Sequence, residues 1–370
     1  MECELLASQR ARRTWWSIAT CWLAPAIAVL ILTTTGRLQR HAHVHILRPT
    51  ARSHPCPCCQ PPPKDPKFVL VYTVATGSRG VMDLILSAEN ELDSPLYRQA
   101  MTADTDFVHF CDGWACPSLC EESRFSQPGK SIWRPVFLSQ WDVPVLRKAK
   151  MKDSFGVDHF LSRAVKLVPH RMPLLASYST TIYIDANVAV LRPVTHLLRT
   201  WVGAGVDVAT WYYQRPNHTE WRSMTRILKN RGDRVFGRKK YEMEINRWVA
   251  QRERYAAQFG QRLINTTAYG KIVIRANNTR SAAFNDCWWR EFSGGIARDQ
   301  VSLYFCMLET ASMTGLSYKL MRHPTHNVST KPFHDPVFTH YFLHLGQQDA
   351  EVTKEIMSNV TSGLYSVRGY

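Results

Sequence analysis

The sequence predicts an α/β fold, a single Rossmann-like domain with a mostly parallel central sheet spanning residues 68–348, followed by a tail at 349–370. Three observations lead there. The run Phe68-Val69-Leu70-Val71-Tyr72-Thr73-Val74 is β-branched and aromatic and lies between Pro66 and Gly77-Ser78, as a strand buried on both faces would. Strand-like and helix-like segments alternate after it, the pattern of a sheet whose crossovers are helices. One later strand ends on Asp185-Ala186-Asn187, and in open parallel sheets ligands bind at the carboxyl ends of strands.

After the first strand, Met82 to Leu92 carries apolar side chains at helical spacing, and Asp106-Phe107-Val108-His109-Phe110 reads as the next strand. Phe160 to Val168 is a helix that Pro169 stops, Ser179 to Ile184 a strand and Val194 to Trp201 a helix. Asp207 to Trp211 is a further strand. Tyr241 to Phe259 is a long amphipathic helix, with Ile245, Trp248 and Tyr255 on one face, ending at Gly260. Lys271 to Arg275 is a late strand and Ala282 to Phe292 a late helix. Trp288 and Trp289 are adjacent on that helix and so face different ways, which makes them core rather than a stacking platform.

Ahead of the domain, Thr14 to Gly36 contains no charge and includes Trp15-Trp16, Trp22 and the apolar stretch Leu23 to Leu32. That is long enough for a helix across about 30 Å of hydrocarbon. Arg10, Arg12 and Arg13 precede it, but Arg37 and Arg40 follow, so charge alone leaves its orientation open. Thr33-Thr34-Thr35 is a poor cleavage site, so an uncleaved signal anchor at 14–36 is expected, with residues 1–13 a cytoplasmic tail and 37–67 a proline-rich lumenal stem. Asn-x-Ser/Thr patterns at Asn217, Asn265, Asn277, Asn327 and Asn359 all follow the anchor and fit glycosylation in a secretory lumen.

Eight of the ten cysteines also follow it, as suits an oxidising compartment. Cys111, Cys116 and Cys120 are spaced for one local disulfide and one partner elsewhere. Cys56, Cys58 and Cys59 lie among prolines, and neither cluster has the paired Cys-x-x-Cys spacing of a zinc ribbon. The formal charge of +16 is scattered along the chain, with no nucleic-acid module. It favours anionic partners such as nucleotide diphosphates, acidic glycans or lipid headgroups, and no nucleic acid.

At the end of the Thr180 to Ile184 run, Asp185 and Asn187 offer hard oxygen atoms two residues apart. Such a pair can hold a divalent ion that bridges two phosphates. It is equally the composition of an ordinary turn.

Four motifs in order narrow the choice. Ser162 to His170, Tyr183-Ile184-Asp185-Ala186-Asn187, Trp288-Trp289-Arg290-Glu291-Phe292 and Arg298-Asp299-Gln300-Val301-Ser302 together resemble the mucilage-related and turgor-regulation-defect family of glycosyltransferase-like proteins of plants and bacteria, over roughly Lys67 to His344. The departures are Ala186 for the family's usual Gly and Tyr269-Gly270 for Asn-Gly.

The resemblance implies a GT-A-like nucleotide-diphospho-sugar transferase fold. It further implies transfer from a nucleotide sugar to a glycan or polysaccharide acceptor, and a divalent ion, Mn2+ being the usual one. It places Arg163, Lys166, Asp185 and Asn187 at the donor, with Asp185, Asn187 and His344 as metal ligands and His340 as the alternative late histidine. Asp299 becomes the catalytic residue on the acceptor side, the general base if transfer inverts the anomeric carbon and a group that orients sugar hydroxyls if it retains it, with Arg298 and Gln300 beside it at the acceptor. Tail, anchor, stem and domain in that order are the layout of a single-pass type II Golgi membrane enzyme. Two other classes stay open: a ceramidase-like hydrolase, for which the sequence offers no Gly-x-Ser-x-Gly or His-Glu-x-x-His motif, and a non-catalytic relative that binds glycan or nucleotide.

Overall fold

The computed structural model describes residues 58–60, 63, 65–76, 95–112, 115–121, 130–138, 157–214, 238–260, 263, 266–296, 298–324 and 335–344. All belong to one compact unit, Ser53–Tyr370. Among the described residues no helix is long and apolar enough to cross a membrane. The expected anchor at 14–36, the helix Met82 to Leu92 and the sequons at Asn217, Asn265, Asn327 and Asn359 lie outside them.

The strands are β1 (Val69–Ala75), β2 (Thr105–Cys111), β3 (Arg134–Phe137), β4 (Thr180–Ile184), β5 (Val188–Val190), β6 (Val208–Gln214), β7 (Thr266–Ala276), β8 (Tyr318–Met321) and β9 (Phe342–His344). The helices are α1 (Pro95–Thr102), α2 (Ala115–Glu121), α3 (Val157–Leu167), α4 (Pro173–Ala176), α5 (Val194–Leu197), α6 (Arg238–Phe259), α7 (Thr279–Gly294), α8 (Asp299–Thr314) and α9 (Pro336–Tyr341).

Seven strands form one sheet in the order β3-β2-β1-β4-β7-β6-β8, while β5 and β9 pair as a separate antiparallel ribbon. Neighbours from β3 to β4 are parallel, as are β6 and β8; β7 runs antiparallel to both β4 and β6. The sheet is therefore mostly parallel, as the alternation of elements requires. Strand order reverses between β1 and β4, and the crevice outside that point is where an open α/β sheet accepts a ligand.

Both faces of the sheet are covered. Leu70, Tyr72 and Val74 of β1 join one core with residues of α3, α6, α7 and α8. Val69, Val71 and Ala75, pointing the other way, join a second core with residues of α1, α2, α5, α9 and the ribbon. Strands sandwiched in this way are apolar on both sides, which is why β1 is a continuous hydrophobic run.

Two elements differ from expectation. The helix expected over Val194 to Trp201 is α5 followed by a wider π turn, Leu198–Val202, which Gly203 ends at φ +84 by donating its N–H to Leu198 O. Strand β7 starts five residues before the expected Lys271, because Gly270 continues the strand instead of breaking it. A Cβ at Gly270 would stand 3.2 Å from Gln300 Cγ and 3.5 Å from Lys166 Nζ, so α8 and the end of α3 approach the strand where glycine leaves room.

The cysteines pair as Cys111–Cys116, Cys58–Cys120 and Cys287–Cys306. The last ties α7 to α8. Glu291, of the Trp-Trp-x-Glu motif, is a clamp between helices: its carboxylate accepts from Arg254 Nη1 and Nη2 at 3.1 and 2.5 Å and from the Tyr255 hydroxyl at 2.8 Å, all on α6. Glu291→Ala removes the acceptor of the buried Tyr255 hydroxyl, which keeps only the bond from Gln251 Nε2, and is expected to cost about 1–3 kcal/mol. Urea unfolding checks this; a change within error would remove the clamp's significance.

Candidate active site

The alternation of β4 points Tyr183 and Asp185 the same way, into the space between the sheet and α3. The Tyr183 hydroxyl donates to Asp185 Oδ1 at 2.8 Å. Burial first, and then the neighbouring carboxylate, hold this phenol well above its ordinary pKa, so it remains a donor. Ala186 needs no glycine: no non-glycine residue among those described has a positive φ.

Arg163 and Lys166, three residues apart on α3, share the face that looks onto this strand end. Lys166 Nζ lies 3.6 Å from Asp185 Oδ1, forms an ion pair with Asp299 Oδ2, and sits 4.7 Å from the centre of the Tyr183 ring. Arg163 Nε is 3.5 Å from Asp299 Oδ1. The Lys166 side chain is only 3% exposed. This corrects its expected place at the donor phosphates: its charge is spent between two carboxylates, inside the protein.

Asp299 requires the second correction. It is the first residue of α8, its carbonyl accepts from Trp288 Nε1 at 2.7 Å, and its side chain is buried. Burial alone would raise its pKa, but Arg163, Lys166 and Arg298 outweigh burial and hold the carboxyl well below the usual carboxylate range. A carboxylate so weakly basic and so enclosed does not suit a general base. It fixes Lys166 and Arg163 instead. Arg298 and Gln300, both half-buried, lie beside it, with Arg298 Nη2 donating to Gln300 Oε1 at 3.4 Å.

Two of the three expected metal ligands, Asn187 and His344, come together. The β5–β9 ribbon pairs Val188 with His344, which brings the histidine beside Asn187: Asn187 Nδ2 and His344 Nε2 are 3.4 Å apart. His340 is elsewhere, on α9, edge-on to the Tyr341 ring, and burial pushes its pKa down to about 4. It is a half-buried, neutral imidazole.

At the point of convergence stands Lys271, which the sequence showed only as a strand residue. Ile184 pairs with Ile272 across β4 and β7, so Lys271 falls opposite Asp185, whose N–H donates to Lys271 O at 2.8 Å. Its ammonium donates to Asn187 Oδ1 at 3.4 Å and to His344 Nε2. The donor set offered to a divalent ion is thus one carboxylate, already facing Lys166, with an amide and an imidazole that both hold an ammonium. Hard divalent ions favour several anionic oxygens. Such an ion does not fit this set as the side chains stand.

Around this strand end, the cations Arg163, Lys166, Lys271 and Arg298 outnumber the carboxylates Asp185 and Asp299. Away from it, Asn277 is exposed and donates from Nδ2 to Ala176 O at 2.6 Å. The cysteine cluster of Cys59, Cys111 and Cys116 contains the Cys111–Cys116 disulfide and so is no metal centre.

No protein-family model matches the chain, and no curated protein matches it. Among solved structures it is similar to the apo form of mouse xyloside xylosyltransferase 1, with 10% identity, 70% of this chain and 86% of that chain covered, and a TM-score of 0.40. It is also similar to the galactosyltransferase LgtC in complex with donor and acceptor sugar analogues, with 10% identity, coverage of 81% and 97%, and a TM-score of 0.37. A third is core-mannan synthase A from Aspergillus fumigatus in its Mn/GDP form, with 9% identity, coverage of 69% and 73%, and a TM-score of 0.35. At TM-scores this low the likenesses add no weight to what the residues themselves support.

Proposed function

We propose that the chain is a GT-A-type glycosyltransferase that moves a sugar from a nucleotide-sugar donor to a hydroxyl of a glycan or polysaccharide. One observation carries this reading. A partly exposed carboxylate, Asp185, stands at the carboxyl tip of β4, beside the reversal of strand order and within a surplus of positive charge. A carboxylate accepts hydrogen bonds from the hydroxyls of a ribose or hexose, and fixed cations stabilise a departing diphosphate. The resemblance of four motifs to those of the mucilage-related family supports the same reading.

In the reaction, the bond from the sugar's C1 to the diphosphate oxygen breaks and its electron pair stays on that oxygen. The acceptor's hydroxyl oxygen bonds to C1, and the hydroxyl proton passes to the departing diphosphate. Asp185 orients the donor's hydroxyls; Tyr183 and Lys166 orient Asp185. Asp299 anchors Lys166 and Arg163 from behind. In this reading Arg298 and Gln300 bind the acceptor.

The expected anchor at 14–36 makes this a single-pass type II enzyme with its domain in the Golgi lumen, and the three described disulfides suit an oxidising lumen. Incubating the full-length protein with a panel of sugar nucleotides, and measuring release of nucleoside diphosphate, tests the activity. Turnover of at least one donor is expected. If no donor is turned over and no nucleoside diphosphate raises the melting temperature, the proposal is wrong.

A further inference from the structure

We propose that Lys271 supplies the positive charge facing the leaving diphosphate that a divalent ion would otherwise supply, so that sugar transfer by this chain needs no metal. This rests on the glycosyltransferase reading above.

The case begins with the backbone. Lys271 lies within β7, an interior strand of the seven-stranded sheet, and its carbonyl is bonded to the Asp185 N–H. Its position relative to the strand end is therefore set by the β4–β7 register, not by a loop. A lysine in a strand that continues Ile272-Val273-Ile274 costs desolvation unless its ammonium reaches polar partners. It reaches Asn187 Oδ1 at 3.4 Å and His344 Nε2. Those are two of the three groups expected to hold an ion. Each reaches the ammonium from a different element, Asn187 from the β4–β5 turn and His344 from β9.

Charge decides between ion and ammonium. An ion taking Asp185, Asn187 and His344 as ligands would displace the ammonium from two of them while remaining next to it. It would gain one carboxylate, which already has Lys166 Nζ at 3.6 Å. The Lys271 ammonium would then stand beside a doubly charged ion whose one anionic ligand is already shared with Lys166, a repulsive arrangement. The ammonium, by contrast, is a compact point charge with three donor hydrogens, suited to phosphate oxygens. As the C1–O bond breaks, negative charge grows on the diphosphate oxygen opposite Lys271, and the lysine keeps all its protons throughout. Asn187 and His344 become positioning residues that hold the ammonium at the strand tip.

Titration calorimetry of the full-length protein with UDP, GDP, ADP and CDP, in EDTA and again with Mn2+, tests the inference. The nucleoside diphosphate that binds is expected to bind equally well under both conditions. Lys271→Met should weaken that binding by about tenfold or more in EDTA, with Lys271→Arg recovering much of the loss. Melting temperatures of both variants show that each is folded, and the turnover of the matching sugar nucleotide should follow the same pattern. Binding by the wild type only in the presence of Mn2+, or wild-type binding by Lys271→Met in EDTA, overturns the proposal while leaving the glycosyltransferase reading intact. Binding of no nucleoside diphosphate under either condition overturns that reading, and this inference with it.

Discussion

Asp185→Asn is expected to reduce turnover of the donor by on the order of 10²-fold or more, with little change in melting temperature. The two halves of this result have separate causes. Asparagine keeps the shape of the side chain, and its amide oxygen can still accept from the Tyr183 hydroxyl, which lies 2.8 Å from Asp185 Oδ1. Lys166 keeps its ion pair with Asp299. The fold therefore loses only one partly exposed charge, with a side chain 25% accessible. The donor loses more. An amide presents a donor where hydroxyls need an acceptor, and a small displacement of the sugar carries its C1 out of line with the acceptor oxygen. Measured kcat/KM for Asp185→Asn and Asp185→Ala, beside thermal melts, separates these effects. A variant that turns over donor at the wild-type rate would remove Asp185 from the site.

Tyr183→Phe offers a graded control. It leaves Asp185 charged and close to Lys166 but removes the hydroxyl that fixes its orientation. Turnover should fall less than in Asp185→Asn, because the carboxylate remains. A larger loss in Tyr183→Phe than in Asp185→Asn would mean that the phenol, not the carboxylate, is the group that meets the donor.

The legibility of this site in the sequence follows from how far apart its parts are along the chain. Strands β1, β2 and β4 were readable as buried apolar runs, and Asp185 as the residue that ends one of them. That reading needs only local pattern. Lys271 was not readable, because its place is set by the β4–β7 register, which joins it to Asn187 from 84 residues away. A lone lysine at the start of an Ile-Val-Ile strand was the available signal. Strands β3, β5, β8 and β9 span three or four residues each, too few to show a period. His344 owes its position to the short β5–β9 pairing, and so it could be told from His340 only in three dimensions.

Asp299 and Lys166 differ from the sequence expectation for another reason. Sequence shows charge but not burial, and charged residues beside Arg298 and Gln300 look like the lining of a cleft. The structure turns both side chains inward, where each neutralises the other. Asp299 also opens helix α8, where an acidic side chain opposes the partial positive charge of the helix start.

Lys166→Met is the substitution with the largest expected effect on stability, about 3–5 kcal/mol at neutral pH, because it strips one partner from a buried ion pair. Asp299 would keep Arg163 but lose the ammonium bonded to its other oxygen, and Asp185 would lose its own cation. The sign of the pH dependence follows from Asp299. Its folded-state pKa lies below the unfolded value of about 4, held there by Arg163 and Lys166 against burial. Its contribution is therefore fully present above that unfolded pKa and is lost as pH falls below it towards the folded value. The stability gap between wild type and Lys166→Met should thus be widest at pH 7 and narrow on acidification below about pH 4. Lys166→Met/Asp299→Asn should recover part of the loss by removing the stranded charge. Urea unfolding of the three proteins at pH 7 and pH 3 measures both effects. A gap that is the same at the two pH values, or a double variant no more stable than Lys166→Met, would show that packing, not the buried pair, makes the lysine necessary.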